Sequence, residues 1–307
     1  MESKVVVIVG PTCSGKTELS LLLSKQLNVE IISADSRQIY KHLDIGTAKP
    51  SKSEIKDIKH HLIDCLEPDE EYNASKFEKD AISIIGQIQQ SAKFPIVVGG
   101  SGLYIRALID GIFDSVDTDE EFRSLKLEER KKYGNQYLFD QLKELDPKTS
   151  STLLPQNWKR IIRALEVFHI TGEPIWKHQQ KYKRDVKINF LQFGINWDRE
   201  TLYQNIEKRV DEMIKRGLVN EVKNILEMGY KKSVNSLNTV GYKEVIDFLE
   251  NKNDLERTVQ LIKRNSRRYA KRQMTWFRAD KRIKWFDVKI KSDLEGVSQS
   301  ILDSLKN

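Results

Sequence analysis

The sequence has few cysteines and no long hydrophobic run, and both absences exclude classes of protein. Its two cysteines, Cys13 and Cys65, are too few for a disulfide scaffold or a cysteine-liganded zinc site. The longest apolar run near the start, residues 5–9, is far too short to span a bilayer. Gly10 and Pro11 end that run before it could serve as a secretory signal. We therefore expect reduced thiols, a cytoplasmic protein and no membrane partner.

Basic charge is concentrated in one segment of the chain. The net charge is +7, and residues 257–284 hold eleven basic side chains against a single acidic one, Asp280. That segment therefore contributes +10, and the rest of the chain is slightly acidic. A concentrated basic segment indicates a polyanionic partner. From charge alone, a solvated helix face explains the segment equally well.

Strand and helix patterns alternate along the first third of the chain. Short β-branched runs predict strands at residues 4–9, 31–32 and 95–98, the second of them ending at Ser33. A 3.6-residue apolar period predicts a helix over residues 16–27, and another begins near Ser75 as its N-cap. This alternation is typical of parallel strands with helices on both faces.

Residues 10–17, GPTCSGKT, fit the phosphate-loop pattern G-x-x-x-x-G-K-[ST] between a predicted strand and a predicted helix. The main-chain N–H groups of such a loop converge on phosphate oxygens, beside a helix N-terminus with partial positive charge. Lys16 can reach the outer phosphate, and the Thr17 hydroxyl can ligate Mg²⁺ or a phosphate oxygen. The candidate phosphate-binding residues are Gly10, Pro11, Thr12, Cys13, Ser14, Gly15, Lys16 and Thr17. The pattern leaves the phosphorylated ligand open.

A kinase or an ATPase is the usual interpretation of such a loop. These enzymes need a carboxylate to organise Mg²⁺, often an Asp that closes a later hydrophobic strand. Here the strand at residues 95–98 is followed by Gly99-Gly100-Ser101-Gly102, which contains no acid, whereas Asp35 closes another strand. The pattern alone does not decide between an NTPase and another phosphate-binding enzyme.

The pattern changes after Ile112 and then becomes almost entirely helical to about Lys183. Further helices are predicted at residues 120–133, 136–145, 158–171, 199–216, 218–227, 242–249 and 255–279, and further strands at 189–195 and 283–286. We therefore predict an α/β fold, with a P-loop NTPase-like parallel sheet core and helices on both faces. Residues 1–112 and 189–307 would form this core domain, and residues 113–188 a helical insertion domain.

Several segments together resemble the bacterial tRNA dimethylallyltransferase (tRNA isopentenyltransferase) family. In the family's order they are residues 10–17, 33–40 (SADSRQIY), 44–49 (DIGTAK), 60–64 (HHLID), 99–104 (GGSGLY), 160–167 (RIIRALEV), 240–244 (VGYKE) and 268–278 (RYAKRQMTWFR). DSRQ and AKRQ-x-TWFR are highly specific in combination. The resemblance implies transfer of dimethylallyl from its diphosphate to N6 of adenosine 37, beside the tRNA anticodon, with release of diphosphate.

The resemblance also implies roles for catalytic residues. Asp35 matches the family's proposed general base, Thr17 the residue that positions the bridging diphosphate oxygen, and Arg209 a diphosphate-contacting arginine. Lys16, Arg209 and Mg²⁺ would stabilise the departing diphosphate. A base helps because the adenine amine is a poor nucleophile, and such a role is worth ~10²–10⁴ in rate. Without the resemblance, Asp35 could instead be a strand-end carboxylate that caps backbone N–H groups.

An adenine in a stacked loop must be extruded to reach a buried electrophile. The residues that the resemblance implies for tRNA binding are Asp35, Ser36, Arg37, Gln38, Ser101 (where the family usually has Thr), Arg123, Gln156, Asn157, Trp158, Lys159, Arg160, Lys271, Arg272, Gln273 and Arg278. The implied cofactor is Mg²⁺, and the implied substrates are the tRNA anticodon stem-loop and dimethylallyl diphosphate. We expect a monomer.

Three other functions use some of the same sequence features. A P-loop nucleotide kinase or ATPase would turn over ATP. An adenylate isopentenyltransferase would act on free nucleotide, which requires neither the basic segment nor the helical insertion. A non-catalytic RNA-binding protein is disfavoured by intact Lys16, Thr17 and Asp35. The pair His60–His61 lies in a family motif but has no assigned chemistry.

Overall fold

The structure, a computed structural model, describes residues 4–51, 56, 58–113, 116–182 and 187–306. Its strands form one sheet: β1 (Lys4–Val9), β2 (Val29–Ser33), β3 (His60–His61), β4 (Phe94–Gly99), β5 (Asn189–Trp197) and β6 (Lys284–Val288). The strand order is β3-β2-β4-β1-β5-β6, and every neighbouring pair is parallel. The predicted α/β fold with a parallel sheet is therefore confirmed.

The α-helices in the described part of the chain are α1 (Lys16–Ser24), α2 (Ala74–Gln90), α3 (Gly102–Asp110), α4 (Glu120–Leu145), α5 (Pro147–Ser150), α6 (Trp158–Thr171), α7 (Ile175–Lys181), α8 (Arg199–Lys215), α9 (Leu218–Glu227), α10 (Tyr242–Leu249), α11 (Leu255–Arg278) and α12 (Asp293–Lys306). Short 3₁₀ turns cover Pro155–Asn157 and Asn235–Leu237. Over these ranges, no helix has the length and apolar character that crossing a membrane requires.

The chain divides into two compact units. One consists of Met1–Ile109 with Val186–Asn307 and contains the sheet; the other, Asp110–Asp185, contains α4 to α7. The boundaries expected from the sequence, 112/113 and 188/189, fall three residues after these.

The sheet brings the ends of three strands to one edge. β1 lies between β4 and β5, and its residues Val5–Val9 are completely buried, which is why the strand is a continuous β-branched run. Val9 pairs with Gly99, and Ser33 pairs with Val98. The loops that follow β1, β2 and β4 therefore emerge side by side at the carboxyl edge, where α/β sheets bind their ligands.

The second unit has a small core of its own. Leu138 and Leu142 of α4 pack against Ile161 and Leu165 of α6. Within α4, Gly134 adopts a non-helical φ of 87°, which divides the helix where the sequence predicted two.

The predicted N-cap of α2 was wrong by two residues. The cap is Asn73, whose side chain accepts hydrogen bonds from the backbone N–H groups of Ser75 and Lys76. Asn and Ser are equally favourable caps, so the residue type alone could not select between them.

Candidate active site

The carboxyl edge of the sheet opens into a cavity of about 760 Å³ within the sheet-containing unit. Its walls include residues 12–17 of the loop after β1, residues 35–38 after β2, residues 46–48, residues 98–100 at the end of β4, and side chains of α8 and α11. The cavity thus brings together Lys16, Thr17, Asp35 and Arg209, which the sequence assigned to the reaction from separate motifs.

The loop of residues 10–17 (the 10–17 loop) is held in shape by contacts within itself and with β5. The Lys16 Nζ donates to the Pro11 carbonyl at 2.7 Å. The Trp197 indole N–H at the end of β5 donates to the Ser14 carbonyl at 3.0 Å. Gly15 has a φ of 86°, a left-handed conformation that glycine adopts without steric cost and that starts α1. The loop is consequently shaped before any ligand arrives.

Arg209 reaches the same loop from α8. Its Nη1 donates to the Thr12 hydroxyl at 2.8 Å and lies 3.6 Å from the Cys13 thiol. The sequence placed Arg209 at the diphosphate by resemblance alone. Its guanidinium now stands beside Thr12, at the wall from which main-chain N–H groups would contact phosphate oxygens.

Burial affects the charge of Lys16. Desolvation lowers its pKa from the usual 10.5 to about 8; the negative charge of Asp35 opposes this shift, and the positive charge of Arg209 adds to it. The ammonium is therefore close to its titration point in neutral to mildly basic solution, and an anionic ligand would favour its charged form.

Asp35 combines a capping contact with an available oxygen. Its Oδ1 accepts the Arg37 N–H at 2.9 Å and the Gln38 N–H at 3.4 Å. Among the residues that the structure describes, Oδ2 has no hydrogen-bond partner. The capping interpretation and the base interpretation of this carboxylate are thus compatible, because they use different oxygens.

The glycines after β4 allow other elements to come close. A Cβ on Gly99 would lie 2.1 Å from the Ala34 carbonyl oxygen, and one on Gly102 would lie 2.2 Å from the Trp276 ring. Ser101, between them, accepts the Ser36 N–H on its Oγ at 3.0 Å. This segment therefore joins the Asp35 turn to α11, instead of supplying a metal-binding acid.

Gln273, which was predicted to contact tRNA, makes its side-chain hydrogen bonds inside the protein. Its side chain is buried, with 7% exposure. Its Oε1 accepts the Thr12 N–H at 2.9 Å, and its Nε2 donates to the Gly100 carbonyl at 2.9 Å. Both ends of the amide are thus engaged in holding the 10–17 loop to the end of β4.

The rest of the basic segment divides between paired and exposed side chains. Lys263 pairs with Asp211 of α8 at 2.7 Å, and Arg267 pairs with Glu207 of the same helix. The exposed basic side chains of α11 include Arg264, Arg268, Lys271, Arg272 and Arg278. The exposed group offers its charge to a partner at the surface.

The remaining residues predicted to bind tRNA lie in the second unit. The Arg123 Nε is 2.8 Å from Oε1 of Glu166, a fully buried carboxylate, so this arginine already has an internal partner. Gln156, Asn157, Trp158, Lys159 and Arg160 form the start of α6 and the turn before it. Gln156, Lys159 and Arg160 are exposed, and the guanidinium of Arg130 lies 4.0 Å from the centre of the Trp158 ring.

The histidine pair has a structural explanation. The His61 Nε2 lies 2.6 Å from Oε2 of Glu30, a buried carboxylate on β2 that also receives Lys93 at 2.7 Å. His61 thus anchors the short edge strand β3 to β2. The described ranges contain no group of three or more His, Cys, Asp or Glu side chains that could hold a metal ion.

Sequence reasoning missed the apolar part of the cavity. Ile206, Val210 and Met213 of α8 and Ile262 of α11 line it and are buried. Their helical spacing is the same as that of core residues, so the sequence gives no sign that they face a cavity.

The parallel sheet, its strand order and the loop at its carboxyl edge define a P-loop-like α/β protein. Comparison with known proteins gives the family. The sequence matches the IPP transferase family over residues 38–280, and the chain therefore belongs to that family.

Relatives and solved structures agree with this assignment. A tRNA dimethylallyltransferase of Pelotomaculum thermopropionicum is 45% identical over 97% of this chain and 95% of its own length. The tRNA isopentenylpyrophosphate transferase of Bacillus halodurans superposes with a TM-score of 0.73 at 38% identity, covering 99% of this chain and 97% of the other. A eukaryotic dimethylallyltransferase acting on tRNA superposes with a TM-score of 0.79 at 27% identity, covering 97% and 78%. The resemblance inferred from the motifs is confirmed.

Proposed function

We propose that this protein transfers the dimethylallyl group of dimethylallyl diphosphate to N6 of adenosine 37, beside the tRNA anticodon, and releases diphosphate. The observation that carries the proposal is the single cavity shared by the 10–17 loop, Asp35 and an apolar wall. The names of relatives that match almost the whole chain support it. In this proposal the enzyme acts in the cytoplasm as a monomer.

The 10–17 loop would bind the diphosphate. Its main-chain N–H groups, the Lys16 ammonium and the Arg209 guanidinium all border the space in which negative charge develops as the leaving group departs. The oxygen donors available there, the Thr17 hydroxyl and the Asp35 carboxylate, suit Mg²⁺, which prefers oxygen ligands shared with substrate phosphates. Thr17 would hold the ion, whose charge supplies further neutralisation of the leaving group.

The apolar wall would receive the five-carbon chain. Ile206, Val210 and Met213 present buried hydrocarbon surface to the cavity, and burial of an isoprenoid chain there is favourable. The wall also keeps water away from the electrophilic carbon, which limits hydrolysis.

Asp35 would accept the proton from N6 of the extruded adenine. Its Oδ1 is held by backbone N–H groups, so the carboxylate is oriented and the second oxygen can act as the base. The exposed Lys271, Arg272 and Arg278 of α11 would contact the phosphates that flank the extruded base.

The test is incubation with radiolabelled dimethylallyl diphosphate and an anticodon stem-loop that carries adenine at position 37. We expect label in the RNA, none with guanine at that position, and none with free AMP. Asp35→Asn should lose the transfer, whereas Asp303→Asn, a change in the C-terminal helix α12, should retain it. Labelling of AMP in place of RNA, or hydrolysis of ATP without prenyl transfer, would contradict the proposal.

A further inference from the structure

A segment with no assigned role forms part of the cavity wall. Residues 44–48, the 44–48 segment, line the cavity through Gly46, Thr47 and Ala48. The backbone N–H groups of the segment's first three residues are bound by one side chain from a distant helix, Glu221 of α9.

Glu221 accepts three consecutive backbone N–H groups. Its Oε2 accepts those of Asp44 at 3.1 Å and Ile45 at 2.7 Å, and its Oε1 accepts that of Gly46 at 3.1 Å. Hydrogen bonds to a charged acceptor are roughly twice as strong as neutral ones. One carboxylate therefore holds the backbone of the first three residues of the segment.

Tyr242 of α10 completes this contact. Its hydroxyl donates to the Glu221 Oε1 at 2.6 Å, and a Cβ on Gly46 would lie 2.3 Å from its ring. Burial, and after it the Glu221 charge, raises the pKa of the Tyr242 phenol well above its usual value. The phenol thus stays protonated and remains the donor.

The 44–48 segment is in turn connected to the proposed base. The Gln38 Nε2 donates to the carbonyls of Thr47 and Ala48, both at 3.2 Å. The Gln38 backbone N–H donates to the Asp35 Oδ1 at 3.4 Å. A continuous set of hydrogen bonds therefore runs from Glu221 through the 44–48 segment and Gln38 to Asp35.

We infer that Glu221 is a positioning residue, which fixes the 44–48 segment and through it the orientation of Asp35. This inference rests on the proposed function. Glu221 would affect the Asp35 side of the site and not the 10–17 loop, because that loop is held independently by Trp197, Arg209 and Gln273. Loss of Glu221 should slow the proton-removing step and leave diphosphate binding intact.

The test compares Glu221→Gln with a control on the same helix, Glu227→Gln. The amide replaces one accepting oxygen with a donor that faces backbone N–H groups, whereas Glu227 is exposed and, among the described residues, pairs with Lys223 alone, at 3.7 Å. For Glu221→Gln we expect a single-turnover rate lower by about tenfold or more, with the Kd of dimethylallyl diphosphate within about twofold of wild type. The control should match wild type in both.

Two results would overturn the inference: a single-turnover rate for Glu221→Gln equal to that of the control, or parallel losses of rate and diphosphate affinity. If Glu221→Gln fails to fold by circular dichroism, Tyr242→Phe decides, since it removes only the hydroxyl donor. A slower rate at unchanged Kd then supports the inference, and an unchanged rate overturns it. Absence of transfer by the wild-type protein would instead refute the proposed function.

Discussion

The affinity for dimethylallyl diphosphate should depend on pH because of Lys16. Its pKa is lowered from 10.5 to about 8, chiefly by desolvation and in part by the charge of Arg209, against the opposing charge of Asp35. A bound diphosphate would stabilise the ammonium and raise this pKa. Above pH 8 the Lys16 amine must therefore take up a proton when the diphosphate binds. Below pH 8 Lys16 is already protonated before binding.

The size and the sign of the effect follow from that pKa. With a pKa of about 8 in the free protein, the affinity should be about tenfold weaker at pH 9 than at pH 7, whereas an ordinary lysine would give almost no change. Folding stability should respond in the opposite direction. Between pH 8 and 10.5 the unfolded chain holds the proton that the folded chain has lost, so Lys16 adds stability as the pH rises.

The assay is titration calorimetry with dimethylallyl diphosphate from pH 7 to pH 9, in the presence of EDTA so that metal binding does not vary. Lys16→Arg is the control, because a guanidinium stays charged over this range, and it should remove the pH dependence. Cys13→Ala removes the neighbouring thiol and should leave the dependence in place. An equal loss of affinity with pH in Lys16→Arg would refute the assignment to Lys16.

Three further predictions concern catalysis, tRNA binding and packing. Asp35→Asn should lower the single-turnover rate by ~10²–10⁴ with stem-loop affinity, measured by filter binding, nearly unchanged; a near-normal rate would remove Asp35 as the base. Replacing Arg268 and Arg272 with Gln should reduce the salt slope of log K by about 1.4 to 1.8, and an unchanged slope would leave them as solvated side chains. Gly46→Ala should lower stability by about 1–3 kcal/mol because of the ring that covers it, whereas Gly86→Ala in α2, which meets nothing within 4 Å, should raise it; thermal unfolding that ranks them the other way would contradict both.

Elements with strong local signals were predictable from the sequence. The bounds of β1, α6, α9 and α10 agree with the expected ranges, because a β-branched run or a clear helical period defines each. The two-residue strand β3 was not predictable, since its place in the sheet depends on pairing with β2 and on the contact between His61 and Glu30. The helices α3, α7 and α12 were also missed, although α12 buries Leu294, Val297 and Ile301 at helical spacing.

The site residues differ in the same way: those in one continuous motif were predictable, and those that act on distant segments were not. The 10–17 loop could be identified because all its phosphate-binding groups lie in eight consecutive residues. Glu221 could not, because it binds backbone N–H groups about 175 positions away, and backbone groups are the same in every sequence.

For Gln273 the sequence contained two conflicting indications, the family motif and the helical spacing. Gln273 stands in the motif beside Lys271 and Arg272, so resemblance placed it with them at the tRNA. Helical spacing separates it from them, since Ala270, Gln273 and Phe277 form the buried stripe of α11. One helix therefore presents cations on its outer side, while a buried amide on its inner side is bonded to the Thr12 N–H of the 10–17 loop.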